Sequence, residues 1–419
     1  GSHYTPRSLT QPIVAHALEP AFERLGPDAM PEQILDLKVC DPAMGSGAFL
    51  VEACRAIAPR LVNAWLRWPE KRPTIPPDED EELHARRLVA QNCLYGVDRN
   101  PRAVDLARLS LWLATLAKDH EFTFLDHALK WGDSLVGLNT QQLSGGSWDN
   151  APIRSTLIGQ AVSERVTKLA AHREAIRNAP DDVSLAIQQS LHAIAEKEAA
   201  LVRLIGDSIV AAFFKNDKAK QRTDEVRYVT TMAGAANWWD GLRNIAVSLE
   251  GGEHPIRPFH WEVEFPEVFG RNNPGFDAMV GNPPFAGKNT TIAGNRRNYL
   301  PWLQALHSGA HGNADLVAHF FRRAFGLIRE GGIAGLIATN TIGQGDTRDT
   351  GLTTILRDGG AIARATRRLK WPGEAAVVVS VVHIAKGAVA SPVLDGRRVR
   401  RGSAYLVWGD LDSSPERLA

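Results

Sequence analysis

The feature that most constrains this chain is an alternation of short apolar runs with longer helix-patterned segments in its first 140 residues. LKVCDP reads as a short buried strand, MGSG as a turn, and AFLVEACRAIAPRLVNAWL as a helix. A second helix through HARRLVAQN leads to the strand LYGVD, and RNPRAVDLARLSLWLATLA is again helical. FTFLDHALKWGDSL gives a third strand ending at an acidic turn. Strands that alternate with helices predict an α/β fold built on a parallel, doubly wound sheet. The same rhythm returns late in the chain. FDAMVGNPPF is followed by a helix through ADLVAHFFRRAFGLIREGG and the strand GIAGLIATNT, then by AIARATRRL and WPGEAAVVVSVVHIA. Near the start, a further helix is expected from Pro12 to Leu25.

Residues 140–255 break the pattern. Val162, Val166, Leu169 and Ile176 share one helical face, and Val183, Ile187, Leu191, Ile194, Leu201 and Ile205 share another. Pro180 separates the two stripes, and Asp181 or Asp182 can cap the second. This is a helical hairpin set into the α/β domain, and its stripes are core packing without assigned chemistry. The expected division is 1–139, 140–255 for the insertion, 256–395, and 396–419 as the start of a C-terminal region. Both ends of the chain read as cut. Gly1-Ser2-His3 is either a leftover of expression or native sequence leading into the segment that follows it.

Composition sets the outer limits. The 419 residues suggest two or three domains by size. A 44% hydrophobic and 23% charged chain buries a large core, which excludes a disordered chain, a coiled coil and a collagen-like fibre. Lys plus Arg number 48 against 47 Asp plus Glu, a net charge of +1. That argues against a histone-like or tail-driven nucleic-acid binder and leaves room for a local basic groove. No apolar run approaches the roughly 20 residues that span a bilayer. Cys40, Cys54 and Cys93 are too widely spaced for a disulfide framework or a zinc pattern, so no metal and a reduced, cytoplasmic setting are expected.

Four short stretches carry chemistry. In DPAMGSGAFL, Asp41 ends a strand, Gly45 and Gly47 allow a tight turn, and the next helix presents its N-terminus. Nucleotide-like ligands bind at this place in an open α/β sheet. An aspartate ahead of the glycines repels a pyrophosphate and suits a ligand with an ammonium group, such as the methionine end of S-adenosylmethionine. In GVDRNP, Asp98 ends the next strand, where an acidic residue holds ribose hydroxyls; taken alone it reads as a turn residue, and the first motif tips it toward a ligand. It lies further from the glycine turn than the usual ~20 residues; the loop with Pro73, Pro76, Pro77 and DEDEE, and an extra helix, account for the excess. WGDSL places Asp133 where it can accept a hydrogen bond from an exocyclic amino group. GNPPF is the most specific: two prolines after a buried strand turn carbonyls outward instead of into the sheet. The Asn282 side chain and the Pro283 carbonyl then form two acceptors for an amino group on a planar ring, with Phe285 to stack on it. A plain Pro-Pro turn with a core phenylalanine is the competing reading.

DPAMGSGAFL, GVD, GDSL and GNPPF in this order resemble the DNA methyltransferases that modify the N6 amino group of adenine. YTPRSLTQPIV resembles that family's additional N-terminal motif, found in the class whose target-recognition domain follows the catalytic domain. FHWEVEFPEVF and LIATNTIGQGDTR further resemble fused type IIG restriction–modification enzymes and phage-defence adenine methyltransferases. The resemblance implies a Rossmann-like methyltransferase sheet, S-adenosylmethionine as cofactor and double-stranded DNA as partner. Other subunits of a restriction or defence system and no membrane complete the implied partners. Tyr4, Thr5 and Pro6 would close over the methionine end of the cofactor. Asp41, Ala43, Gly45 and Gly47 would line that end, Asp98 the ribose and Asp133 the adenine. Asn282, Pro283, Pro284 and Phe285 would hold the target base, with Trp371 as a second aromatic. Arg367, Arg368, Lys370 and the Arg397–Arg401 cluster read either as phosphate contacts or as solvated surface charge.

Three rivals share parts of this pattern. A dinucleotide-dependent oxidoreductase does not explain NPPF. A protein-glutamine or cytosine-N4 methyltransferase is closer, the first more often with Tyr in place of Phe285 and the second with Ser in place of Asn282. A non-catalytic DNA-binding subunit is opposed by the intact glycine turn and NPPF. No PD…(D/E)xK nuclease set is evident in the chain.

Overall fold

The computed structural model describes residues 5–75, 80–115, 125–148, 157–177, 185–232, 238–372 and 378–408. The chain divides into two compact units. The first comprises Gly1–Trp131, Gly275–Lys288 and Asn313–Ala419, and the second Gly132–Pro274 with Asn289–Gly312.

The first unit holds the sheet. Its strands are β1 (Val39–Asp41), β2 (Leu94–Asp98), β3 (Leu129–Trp131), β4 (Phe276–Gly281), β5 (Ile328–Thr339), β6 (Gly360–Lys370), β7 (Val378–Lys386), β8 (Val393–Leu394) and β9 (Arg397–Arg398). They lie in the order β3-β2-β1-β4-β5-β7-β6-β8-β9. β1 to β5 are parallel throughout, as the alternation of strands and helices predicts. The expectation of a wholly parallel sheet needs correction at β7, which is antiparallel to both β5 and β6. β6 ends at Lys370 and β7 begins at Val378, a gap shorter than the dozen or so residues a parallel crossover needs. The result is the Rossmann-like α/β sheet implied by the resemblance.

Helices α1 (Arg7–Leu25), α2 (Ala48–Arg67), α3 (Glu81–Cys93), α4 (Pro101–Thr115) and α5 (Leu316–Leu327) belong to this unit. α1 begins five residues before the expected Pro12 and carries that proline inside. The face with Leu9, Ile13, Val14, Ala17, Leu18 and Ala21 is buried, and burial outweighs the missing proline donor. With Leu50, Ile57 and Leu61 of α2 and Val89 of α3, that face packs on Val39 and Val280 of the sheet. α5 stops at Leu327, so IREGG is not helical as expected. Ile328 instead pairs with Phe276 of β4. Gly275 admits this close approach: its φ is +114°, and a Cβ there would lie 2.6 Å from the Leu327 carbonyl oxygen.

At the amino end of β4 lies an ionic cluster. Asp277, 2% exposed, accepts from the Lys38 amide (2.9 Å) and the Arg24 guanidinium (2.8 Å), and pairs with Arg329 at 2.7 Å. Lys38 is itself fully buried, and its Nζ donates to the carbonyls of Leu35 (3.1 Å) and Asn92 (2.8 Å). Cys40, Cys54 and Cys93 are buried free thiols, and burial pushes the last two up to about 12.

The second unit is helical, with Leu157–Arg177, Leu185–Lys215, Ala219–Met232, Trp238–Ala246 and Tyr299–Leu306 as its longer helices. It starts before residue 140 and takes in 256–274 and 289–312, both part of the expected 256–395 segment. Hydrogen bonds explain this: Trp302 Nε1 donates to the Leu135 carbonyl (2.9 Å), and the Trp302 ring meets Phe213 edge-on at 5.1 Å. Val162, Leu169 and Ile205 are buried as the stripes predict, but Ile194 is exposed. The buried stripe runs through Ala195, Ala199, Val202 and Ile205, one residue out of phase with Ile194. Pro180, Asp181, Asp182 and Val183 lie outside the described residues, as do the side chains of Ile176 and Ile187. His260 is buried: Nδ1 accepts from the Leu138 amide (3.0 Å), and Nε2 lies 3.2 Å from Asp207 Oδ1.

Candidate active site

Parallel register brings the ends of β1, β2 and β4 to one edge of the sheet. Asp41 pairs in register with Gly96, two residues before Asp98, and Cys40 pairs with Met279, two residues before Gly281. The loop after β1 is tight. Gly45 (φ +52°) and Gly47 (φ +80°) are both left-handed, a conformation costly for any residue with a Cβ. Open space lies over the Cβ position of Gly45, while a Cβ on Gly47 would lie 3.2 Å from Ala107 Cβ of α4.

Hydrogen bonds lock the loop to β2. Asp98 Oδ2 accepts from the Gly45 amide (2.9 Å) and Oδ1 from the Asn100 amide (2.7 Å), and the Met44 amide donates to the Val97 carbonyl (3.1 Å). Asp98 thus shapes the glycine turn from beneath. Burial raises its carboxyl, and the two amides partly offset that.

Asp41 is treated differently. Its Oδ1 accepts from the Ala43 amide (3.0 Å), but its buried Oδ2 has no hydrogen-bond partner among the described residues. Burial pushes the carboxyl up to about 8; the Ala43 amide opposes this, and the Asp98 charge adds to it. The side chain rests against β4, where a Cβ on Gly281 would fall 2.7 Å from Asp41 Oδ1.

Asn282 follows Gly281 directly. Its Nδ2 donates to Thr5 Oγ1 (3.3 Å), and its Oδ1 is buried without a partner among the described residues. Pro283 is buried and Pro284 exposed. Phe285 and Trp371 are both half-buried against the core of this unit. The segment after NPPF is tethered to α5: the Ala286 amide donates to Asp315 Oδ1 (3.2 Å), and its carbonyl accepts from the Leu316 amide (2.9 Å). Asp315 also caps α5 through the Val317 amide (3.0 Å). Sequence reasoning missed this residue, although an aspartate just ahead of an apolar helix is a legible capping signal.

The structure therefore gathers Thr5, Asp41, Ala43, Gly45, Gly47, Asp98 and Asn282 through direct contacts and one short loop. Pro6 caps α1, its carbonyl accepting from the Leu9 amide (2.9 Å). Tyr4 lies outside the described residues. Asp133 belongs to the second unit, where its carboxylate accepts from the Tyr299 hydroxyl (3.0 and 3.1 Å) and the Leu135 amide (3.0 Å). No motif in the sequence announced Tyr299. Arg367 is held on Asp395 by three bonds, from its amide (2.8 Å), Nε (2.9 Å) and a terminal nitrogen (2.7 Å), so it ties β6 to the β8–β9 turn. Arg368, at a left-handed φ of +52°, and Lys370 are exposed, as are Arg397, Arg398, Arg400 and Arg401. Among the described residues no group of three or more His, Cys, Asp or Glu is arranged to hold a metal ion. No described helix is long and apolar enough to cross a membrane.

The profile of the Eco57I restriction-modification methylase family matches residues 92–353, more than half of the chain. The chain belongs to this family. A second profile, the DNA-methyltransferase domain of MmeI, matches residues 26–141, a stretch that includes the glycine turn. Among curated relatives of this family member is a Methanocaldococcus jannaschii protein named for a type II restriction enzyme and methyltransferase. It is 24% identical over 346 residues, covering 68% of this chain and 28% of that protein. The adenine-specific methyltransferase PglX of Streptomyces coelicolor is 32% identical over 146 residues, 33% of this chain and 10% of PglX. The chain thus spans less than a third of either relative. Among solved structures, the type IIL restriction-modification enzyme MmeI in complex with DNA aligns with a TM-score of 0.48 at 14% identity, over 97% of this chain and 41% of MmeI. The M protein of the type I enzyme EcoKI aligns with a TM-score of 0.41 at 14% identity, over 93% and 45%. The family is one of restriction-modification methylases, and the second match is to a DNA-methyltransferase domain.

Proposed function

We propose that the chain is the catalytic part of an enzyme that uses S-adenosylmethionine to methylate N6 of an adenine flipped out of double-stranded DNA, within a restriction–modification or phage-defence system. One observation carries the reading: Asn282 Oδ1 is a buried acceptor without a partner among the described residues, at the end of β4 and just ahead of two prolines. A buried polar atom left unpaired is costly, and a bound amino group removes that cost. The name of the Streptomyces relative, an adenine-specific methyltransferase, favours the same base.

The residues present fit the cofactor. The unpartnered Asp41 Oδ2 suits an ammonium group, and open space over Gly45 leaves room beside it. Asp41, Ala43, Gly45 and Gly47 would hold the methionine end under Thr5 and Pro6, with Asp98 on the ribose. Bound there, S-adenosylmethionine supplies a methyl group on a sulfonium. Asn282 Oδ1 and the Pro283 carbonyl accept the two amino hydrogens of the target base. The adenine nitrogen, whose lone pair is otherwise delocalised into the ring, is turned toward tetrahedral geometry. Phe285, with Trp371, offers the aromatic surface for the ring. Catalysis on this reading is positioning and electrostatics, without a covalent intermediate. The base must leave the duplex at a cost of about a few kcal/mol. Exposed Arg368, Lys370 and Arg397–Arg401 supply phosphate contacts, and the DNA sequence is read by a C-terminal recognition region.

Nucleoside analysis of DNA incubated with the purified protein and labelled cofactor tests the proposal. Labelled N6-methyladenine is the expected product. N4-methylcytosine moves the assignment to the other exocyclic amine, and unlabelled DNA with a labelled glutamine peptide moves it to protein. Asn282→Ala should lower transfer by roughly 10²–10³-fold, the usual effect of removing one preorganised polar contact. Cofactor affinity by calorimetry should remain within about threefold.

A further inference from the structure

An asparagine can serve as an acceptor for an amino group only if its amide points the right way. The two ends of the amide are nearly isosteric, one oxygen against one NH₂. Turned over, Asn282 would present two donors to a substrate that also donates, and the clamp would repel its base. The side chain therefore needs a partner that holds Nδ2 away from the pocket.

The structure assigns that task to Thr5: we propose that its hydroxyl, by accepting from Asn282 Nδ2, fixes the orientation in which Oδ1 faces the target base. The inference rests on the base-clamp reading of Asn282 and adds a positioning residue to it. The two residues are 277 apart in sequence and meet at 3.3 Å. Thr5 is 6% exposed. Its place is set by α1, whose first turn is capped by Pro6 and tied to α2 by Arg7, with Nε 3.1 Å from Glu52 Oε2.

A threonine hydroxyl can donate as well as accept, so the preference needs a reason. In the observed orientation the buried unpartnered atom is a carbonyl oxygen. In the reverse orientation it would be an NH₂ with two unsatisfied N–H groups. Orphaned donors are rarer in folded proteins than under-satisfied carbonyls. The burial that leaves Oδ1 waiting for a ligand also penalises the flipped amide.

This role differs from closing over the cofactor, and kinetics separate the two. Thr5→Val keeps the shape and removes the acceptor; Thr5→Ser keeps the acceptor. With Thr5→Val, the single-turnover methylation rate should fall about 10- to 100-fold, since a reacting group misplaced by ~1 Å costs up to ~10²-fold. KM for DNA and the calorimetric Kd for S-adenosylmethionine should stay within about threefold, which also shows that the variant is folded. Thr5→Ser should recover the rate to within about threefold. An unchanged rate in Thr5→Val overturns the inference. So does a loss confined to cofactor affinity, or a Thr5→Ser variant as slow as Thr5→Val. Asn282→Ala run in parallel keeps the two readings apart. If it retains full activity, the base clamp itself fails; if it is inactive while Thr5→Val is unaffected, only the role of Thr5 fails.

Discussion

Asp41 and Asp277 sit on the paired strands β1 and β4, 1% and 2% exposed, and their surroundings are opposite. Asp277, at the amino end, is engaged by a backbone amide and two guanidinium groups. Asp41, at the carboxyl end, has one amide and an oxygen with no partner among the described residues, and its carboxyl is pushed up to about 8. Equal burial has been resolved by pairing in one case and left unresolved in the other. The amino end of the sheet is finished as architecture. The carboxyl end is left incomplete, where an open α/β sheet takes its ligands.

The largest effect that can break this contrast is on stability. Asp277→Ala should destabilise the fold by about 3–5 kcal/mol, because removing one member of a buried ion cluster strands the others. Arg329, 11% exposed, bears most of that cost, while Arg24, 41% exposed, can turn to water. Denaturant titration measures it; a loss below about 1 kcal/mol, the level of an exposed pair, would show that Asp277 is no more structural than Asp41.

Asp41→Asn should do the reverse. Cofactor affinity should drop about 10- to 100-fold, the worth of a hydrogen bond to a charged group. Stability should change with pH in a definite direction. The unfolded carboxyl titrates near ~4, and the folded one at about 8. Asp41 therefore supports the fold fully below pH ~4, and that support is lost as pH rises toward 8. Thermal melts should show Asp41→Asn gaining on the parent across that window. A constant difference would mean that Asp41 is already paired.

A subtler consequence sharpens the same point. Binding an ammonium group ionises Asp41, so below pH 8 cofactor uptake should release a proton and affinity should rise with pH up to about 8. Calorimetry in buffers of different ionisation enthalpy detects the proton, and the Asp41→Asn variant should show none.

The smallest effect extends the contrast to cations. Arg367 is committed to Asp395, both partly exposed, so Arg367→Ala should cost about 1 kcal/mol or less of stability and leave the salt dependence of DNA binding unchanged. Arg398 is exposed, and Arg398→Ala should reduce the slope of log affinity against log salt by about 1. Equal slopes in the two variants would erase the distinction.

The sequence made the glycine turn legible because strand, aspartate and left-handed glycines are neighbours in the chain. NPPF was legible because two prolines after a strand forbid ordinary pairing. Contacts between distant segments left no such mark. Thr5 and Asn282 are each unremarkable locally, and their meeting depends on how α1 lies on the sheet. Tyr299 on Asp133 is similarly invisible, since nothing in RRNYLPW encodes a carboxylate partner. Lys38 looked like the start of a strand; its burial depends on carbonyls of Leu35 and Asn92. The helix expected through IREGG yielded to pairing with β4, a tertiary preference that local periodicity does not contain. The antiparallel β7 was within reach, because the short span between β6 and β7 already excluded a crossover.

Gly281 has a consequence for how such an enzyme can change. Its missing Cβ is the space Asp41 occupies, 2.7 Å from Oδ1. Positions 282 to 285 lie beyond this contact, but any side chain at 281 must displace the Asp41 carboxylate from its present place. If the proposed roles hold, position 281 is where a change on the base side reaches the carboxylate on the cofactor side.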